Sequence, residues 1–288
     1  MKTSYLIPIL LFLSAGCIPD NLGIEVAEAE SKLVISSQVI PGNTMVVIVS
    51  RSFSALEGND SLSTDLLDDI LVEDAQVTIT WETGSTLLTP LEDAAGIYIS
   101  EEVLPEEARM LRLDVLDLST GQEVYAETEL LPAIQLDSIS FTEVIEDNDT
   151  TQSIYYRFED PEETENWYVI NVFDAQEFIE DYTENPLAIL DGNAGVVFET
   201  LITDQTLSSN LFEDEETLFD ITESETLSFF FANISEGYFR FLDAQRRSGG
   251  IISSAASEPV NFPTNVVGGL GYFNAHNPRI AIVSKNQE

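Results

Sequence analysis

The stretch 74–82, DAQVTITWE, alternates apolar and polar side chains along most of its length. Because successive side chains of a β-strand point to opposite faces, this period of two predicts a strand with one face in a core. The inward residues are Ala75, Val77, Ile79 and Trp81, and the outward residues are Gln76, Thr78 and Thr80. The stretch therefore predicts a sheet that buries one of its sides.

Further strand-like segments lie on both sides of this stretch, separated by turn signals such as Pro41-Gly42-Asn43. Their spacing of roughly ten residues is typical of small antiparallel sandwiches. We therefore expect an Ig-like or transthyretin-like antiparallel β-sandwich over residues 32–132, ending at Leu131-Pro132 because proline cannot donate to a strand ladder. The predicted strands are 32–40, 44–52, 74–82, 84–88, 96–100, 109–118 and 122–131.

Residues 133–288 predict a second antiparallel β domain with one packed helix. We expect the helix at about residues 236–247, with Ser235 as its N-cap and Gly249-Gly250 as its stop. Its face of Tyr238, Phe241, Leu242 and Gln245 is expected to pack on the sheet. The predicted strands of this domain are 133–144, 153–158, 167–175, 195–202, 218–221, 226–234 and 280–284.

The N-terminal segment predicts export and a lipid anchor. Lys2, followed by an apolar run of fewer than about 15 residues, describes a secretory signal that is too short to span a bilayer. The end of this signal, Leu13-Ser14-Ala15-Gly16-Cys17, resembles a bacterial lipobox. The resemblance implies a signal peptide over residues 1–16, membrane lipid attached to Cys17, and a tether over residues 17–31. The alternative is an ordinary secretory signal followed by a free cysteine.

The charge balance is strongly acidic, with 52 acidic residues against 11 basic ones and a net charge of -41. This balance excludes a nucleic-acid partner, because phosphate contacts require a basic face. It also indicates a high-salt environment, where ions screen the repulsion between carboxylates. Cys17 is the only cysteine, so the fold must rest on its cores without a disulfide.

The sequence indicates no catalytic constellation, and we expect a protein that is not an enzyme. A lipidated Cys17 cannot act as a nucleophile, and a serine triad would have to use His276, the only histidine. We expect His276 to be a solvated residue of the loop Asn-Ala-His-Asn-Pro. Zinc sites rich in histidine or cysteine are excluded, and no spacing singles out a carboxylate pair for glycoside hydrolysis.

Two further kinds of site have candidate residues. Clustered oxygens in acidic turns offer a structural calcium ion as the one candidate cofactor, but we expect plain acidic turns with no metal or cofactor. The candidate calcium ligands are Asp147, Asp149 and Asp191. Three Asp-Ser or Asp-Thr tripeptides are similar to the Bacteroidota O-glycosylation pattern. Their acceptor residues are Ser61, Ser138 and Thr150.

Several longer segments carry a resemblance that covers nearly the whole mature chain. They are KLVI (32–35), VEDAQVTI (72–79), GIY (96–98), LLPAIQLDSIS (130–140), RFEDPEETENWYVI (157–170), LFEDEE (211–216), FFFANISEGYFRFL (229–242) and SEPVNFPTNVVGGLGYF (257–273). Together with the Cys17 tether, they resemble the Bacteroidota outer-membrane lipoproteins grouped as domain of unknown function 4249.

Members of that family are typically encoded beside TonB-dependent outer-membrane receptors. The resemblance therefore implies a non-catalytic, lipid-anchored accessory or ligand-capture partner of a TonB-dependent transporter at the outer membrane. It implies no particular ligand, and the sequence leaves open whether the protein faces the periplasm or the cell surface. The first alternative is a surface adhesin or glycan-binding module, and a glycoside hydrolase-like enzyme comes third. Aromatic residues that could stack on sugars, or fill a core, are Tyr155, Tyr156, Trp167, Tyr168 and Phe229 to Phe231.

Overall fold

A computed structural model of the chain describes residues 30–52, 70–92, 94–146, 149–161, 164–174, 196–206, 209–218, 225–248 and 262–285. In these ranges the chain forms mainly strands, one complete α-helix, α1 (Glu236–Arg247), and a turn of 3-10 helix at Asp204–Thr206. The strands are β1 (Leu33–Val39), β2 (Thr44–Arg51), β3 (Ala75–Trp81), β4 (Gly84–Pro90), β5 (Ile97–Val103), β6 (Met110–Asp117), β7 (Glu123–Glu129), β8 (Leu136–Glu146), β9 (Asp149–Glu159), β10 (Trp167–Asp174), β11 (Val196–Thr203), β12 (Leu211–Leu218), β13 (Thr226–Ile234), β14 (Val266–Val267), β15 (Leu270–Ala275) and β16 (Arg279–Ser284).

Strand β3 lies inside a nine-stranded sheet with the order β14-β7-β6-β3-β4-β5-β2-β1-β15. Val77 and Ile79 are fully buried, and Ala75 and Trp81 pack partly buried against the same core, so the predicted inward face of β3 is confirmed. All nine strands contribute side chains to this core. The sheet therefore wraps around a single apolar interior, as a sandwich or barrel does.

The two ends of this sheet come from the C-terminal part of the chain. Strand β14 pairs with β7, and β15 pairs with β1 in the one parallel ladder of the sheet. Gly271 permits the parallel ladder, because its φ is +86° and a Cβ there would overlap the Ile35 carbonyl. The sequence assigns residues 266–275 to the second domain, whereas the structure pairs them with the first sheet, and Ser31–Glu288 form one compact unit.

The remaining strands form two smaller sheets that share a second core. Their orders are β11-β10-β13-β16 and β12-β9-β8. Tyr168 and Phe231 of the first sheet pack on Phe158 of the second, with ring centroids 4.9 and 4.5 Å from that of Phe158. The predicted fold class, mainly β with antiparallel sheets and one packed helix, is therefore confirmed.

Helix α1 lies on the other face of the four-stranded sheet, where it meets strand β15. Five buried residues form this contact: Val169, Ala232, Ile234, Tyr238 and Tyr272. We call them the junction cluster, because Tyr272 belongs to the nine-stranded sheet and the first three residues belong to the four-stranded sheet. The predicted helix face is confirmed, since Phe241 and Leu242 also pack against this cluster.

The sequence misses the acidic strand β12. It predicts a strand at 218–221 instead, of which only Leu218 lies in the described part of the chain. The long loop expected at residues 52–71 falls almost entirely outside the described residues, apart from its two ends.

Candidate functional site

The junction cluster is built by the first turn of helix α1. The Ser235 hydroxyl accepts a hydrogen bond from the Tyr238 amide at 3.2 Å, which satisfies a free donor at the start of the helix. The Tyr238 ring centroid lies 5.2 Å from that of Tyr272 and 6.1 Å from that of Phe241. Burial, with the nearby Glu199 carboxylate, raises the pKa of the Tyr238 hydroxyl. The two sheet systems, the nine-stranded sheet on one side and the four-stranded sheet on the other, therefore meet through aromatic side chains at this point.

His276 lies beside this junction and is buried, with only 1% of its surface exposed. Its backbone amide donates to the Val39 carbonyl at 3.2 Å, and its ring stands edge-on to Phe230 at 5.3 Å between centroids. Val39 belongs to the nine-stranded sheet and Phe230 to the four-stranded sheet. The expectation of a solvated loop histidine is therefore wrong, because long-range packing encloses a segment that has the composition of a loop.

The imidazole of His276 has one hydrogen-bond partner. The Asn274 amide nitrogen lies 2.8 Å from its Nδ1, and because an amide nitrogen only donates, Nδ1 accepts and the neutral ring carries its proton on Nε2. In the described structure, Nε2 of His276 and Oδ1 of Asn274 are buried without a partner. Burial lowers the pKa of His276 to about 4. The geometry thus holds a neutral imidazole, without the orienting carboxylate of a serine triad.

A second buried polar group lies in the connection between β9 and β10. The Asn166 side-chain nitrogen donates to the Thr164 carbonyl at 2.8 Å and to Asp160 Oδ1 at 3.3 Å. The Tyr168 hydroxyl donates to the same Asp160 oxygen, and the Asn233 amide donates to Asn166 Oδ1 at 3.2 Å. The side-chain amide of Asn166 occupies the place where these oxygens converge. The hydrogen bonds therefore fix the connection between β9 and β10 and do not form a cavity for an ion.

The described residues do not bring the calcium candidates together. Asp149 begins β9 and pairs with Glu146 across a hairpin, while Asp147 and Asp191 lie outside the described residues. Among the residues that are described, no group of three or more histidine, cysteine or acidic residues could hold a metal ion. Asp149 is therefore a strand residue, and a calcium site at 147–149 stays a prediction.

The anchor and glycosylation candidates are only partly described. Cys17 and Ser61 lie outside the described residues. Ser138 is exposed on β8, and Thr150 pairs with Ile145 in the ladder of β8 and β9. Lipid attachment and glycosylation at these positions stay predictions.

The aromatic candidates for sugar stacking lie mostly in the second core. Tyr156, Tyr168, Phe229 and Phe231 are almost completely buried. Trp167 packs partly buried beside the junction cluster. These side chains therefore stabilise the sheets, as their strand spacing indicates.

Sequence reasoning missed the polar residues that the fold buries. Asn233 and Asn274 are 95% or more buried, and each lies in an otherwise apolar strand, in FFFANI and GYFNA. A lone amide in such a strand is the available signal, because a buried polar side chain requires partners that the strand itself does not supply.

In the described part of the chain, the helix content includes nothing long and apolar enough to cross a membrane. The fold and site thus define a mainly β protein in which a helix and a buried histidine join two sheet systems. Residues 20–279 match the family model described as "Domain of unknown function (DUF4249)". The chain belongs to this family.

Other comparisons add little to the family assignment. No curated protein matches the chain. Native Escherichia coli alpha-2-macroglobulin is 12% identical, with a TM-score of 0.22, and covers 74% of this chain. A mutant of Salmonella alpha-2-macroglobulin is 10% identical, with a TM-score of 0.24, and covers 72% of this chain. The chain spans 14% of the length of each of these proteins.

Proposed function

We propose that the protein is a lipid-anchored, non-catalytic accessory or ligand-capture partner of a TonB-dependent transporter at the outer membrane. The observation that carries this proposal is the Leu13–Cys17 lipobox pattern at the start of a chain whose family assignment extends over residues 20–279. Three acyl chains on one cysteine would anchor the protein for its lifetime, whereas one chain binds only marginally.

The start of the folded unit is consistent with a tethered body. The Gln122 amide donates to the Ser31 carbonyl at 2.8 Å, and the Ser31 hydroxyl donates to the Ser52 carbonyl at 2.9 Å. Ser31 is therefore bonded to a residue just before β7 and to a residue just after β2. A lipid-anchored tether that precedes Ser31 would therefore be connected to the first sheet through these hydrogen bonds.

The state of the only histidine gives no support to histidine-dependent catalysis. Its Nδ1 is occupied by Asn274, and its ring is buried against Phe230. A general base must reach its substrate within hydrogen-bond distance, directly or through one water molecule. The buried aromatic residues also give no support to the glycan-binding alternative, which requires an exposed aromatic row.

The proposal is tested by comparing the wild-type chain with Cys17→Ser in the native host. We expect the wild type to carry lipid by mass spectrometry, to fractionate with outer membranes and to co-purify with a transporter after detergent extraction. We expect the variant to lose all three properties while keeping its circular dichroism spectrum. A wild-type protein that is unmodified and soluble, or that is extracted from the membrane alone, would overturn the proposal.

A further inference from the structure

His276 lies where the chain crosses from the nine-stranded sheet to the four-stranded sheet. The crossing is short, because β15 ends at Ala275 and β16 begins at Arg279. Through its amide, His276 is bonded to Val39 of β1, and through its ring it contacts Phe230 of β13. One residue therefore contacts both sheet systems, next to the junction cluster.

With the Asn274 amide in its observed orientation, the site suits the neutral ring. Protonation would add a proton to Nδ1, which faces the donating amide of Asn274, so that two donors would meet. Nε2 has no acceptor in the described structure, and the ring would carry its charge at 1% exposure. A buried charge without a partner is costly enough that the surrounding structure opens or the group loses its proton.

No opposite charge in the described contacts would relieve this cost. The groups that face His276 are the Val39 carbonyl from β1, the Phe230 ring from β13 and the Asn274 amide from β15. None of these groups is charged. Burial alone accounts for the lowered pKa of His276, with no contribution from a neighbouring carboxylate or cation.

We propose that the His276–Asn274 pair is a proton-operated latch, in which the neutral imidazole holds the two sheet systems together and protonation releases the crossing between β15 and β16. The released state is a local opening at residues 276–278, in which the ring reaches water. The two cores are not required to unfold, because they lie on other faces of the sheets.

The sign of the pH dependence follows from the two protonation states. The closed state has a His276 pKa of about 4, whereas an exposed histidine has one near 6.5. The latch is therefore closed above about pH 6.5 and weakens as the pH falls towards 4. Over this interval the ratio of closed to open molecules should fall by roughly two powers of ten.

The experiment uses the fact that the chain has one histidine. Its imidazole therefore gives one set of ¹H–¹⁵N correlations, from Nδ1 and Nε2, in an NMR titration of the full chain between pH 8 and 3.5. Hydrogen exchange is followed in parallel at the backbone amides of His276 and Asn277, with Leu113 in the first core as the internal reference. We expect the ring to stay neutral below pH 6, and exchange at the crossing to accelerate relative to Leu113 as it becomes protonated.

The matched variant is His276→Gln, which offers Asn274 an acceptor and does not titrate. Acid also protonates many carboxylates, but that background is common to both proteins. We expect the variant to show no acceleration specific to the crossing. The latch is wrong if the two proteins have the same exchange profile. If the variant does not fold, a wild-type imidazole that titrates near 6.5 while the crossing stays protected overturns the proposal by itself.

Discussion

Two buried tyrosines of the second core differ in the hydrogen bonding of the hydroxyl. Both rings are completely buried, but the Tyr168 hydroxyl donates to Asp160, whereas the Tyr156 hydroxyl has no partner in the described structure. Tyr156→Phe should therefore leave the free energy of unfolding unchanged or raise it by up to about 1 kcal/mol. Tyr168→Phe should lower it by about 1–3 kcal/mol, because Asp160 loses a donor. Urea unfolding of both variants measures the difference.

The pair of variants controls for the loss of an oxygen atom from a tyrosine, since the chemical change is the same at both positions. A Tyr156→Phe protein as unstable as Tyr168→Phe would show that the Tyr156 hydroxyl has a partner that the described contacts lack.

The environment of His276 shows why single residues were hard to place from sequence. The segment Asn-Ala-His-Asn-Pro has the composition of a loop, and nothing local indicates burial. Burial comes from Val39 and Phe230, which are distant in sequence and meet only after both sheets have formed. The periodicity of a short stretch of sequence does not indicate which distant residues will contact it.

Helix α1 was predictable because its signals are local. Ser235 caps it, Glu236 lies in its first turn, and Arg246 and Arg247 lie in its last turn, as the sequence indicates. Strand β3 was predictable for a similar reason, since its alternation is uninterrupted. Strand β12 was missed because its acidic residues, which suit an edge strand, hide the alternation.

Gly237, in the first turn of helix α1, is expected to resist a substitution that usually helps helices. Gly to Ala in a helix normally stabilises by about 0.5–1 kcal/mol. At this position, however, a Cβ would overlap the Tyr272 hydroxyl. Gly237→Ala should therefore lower the free energy of unfolding by about 1–3 kcal/mol, because the helix must move away from β15. Thermal and urea unfolding measure the loss.

The cause is tested in a double-mutant cycle with Tyr272→Phe. Removing the hydroxyl leaves the nearest ring carbon at 3.6 Å from the new Cβ, which is an ordinary contact. Gly237→Ala should then cost little in the Tyr272→Phe background. An equal loss in both backgrounds would show that the clash is not the reason.

At the scale of the whole molecule, charge repulsion is expected to oppose folding. The net charge of the whole chain is -41, because its 52 acidic residues outnumber its 11 basic ones almost fivefold. Salt screens such repulsion, since the Debye length falls from about 10 Å at 0.1 M to about 3 Å at 1 M. The free energy of unfolding should therefore rise by on the order of 1 kcal/mol between these salt concentrations. The midpoint of thermal unfolding should rise with it by about 2–4 °C.

Sucrose at matched osmolality serves as the control, because it changes the solvent without screening charges. Any rise that sucrose also produces is not due to screening. Calorimetry in sodium chloride and potassium chloride should give the same rise. A midpoint that is constant or falls with salt would mean that the ion pairs of the fold outweigh the repulsion.

The closure of the first sheet by β15 has a consequence for how the polypeptide is made. Val34 of β1 pairs with Leu270 of β15, so this edge of β1 stays unpaired until the chain as far as β15 has been synthesised or exported. During that time the unpaired edge of β1 can form hydrogen bonds with strands of other proteins. We therefore expect the unfolded chain to require a chaperone. The first sheet can therefore be completed only when β15 is available to pair with β1.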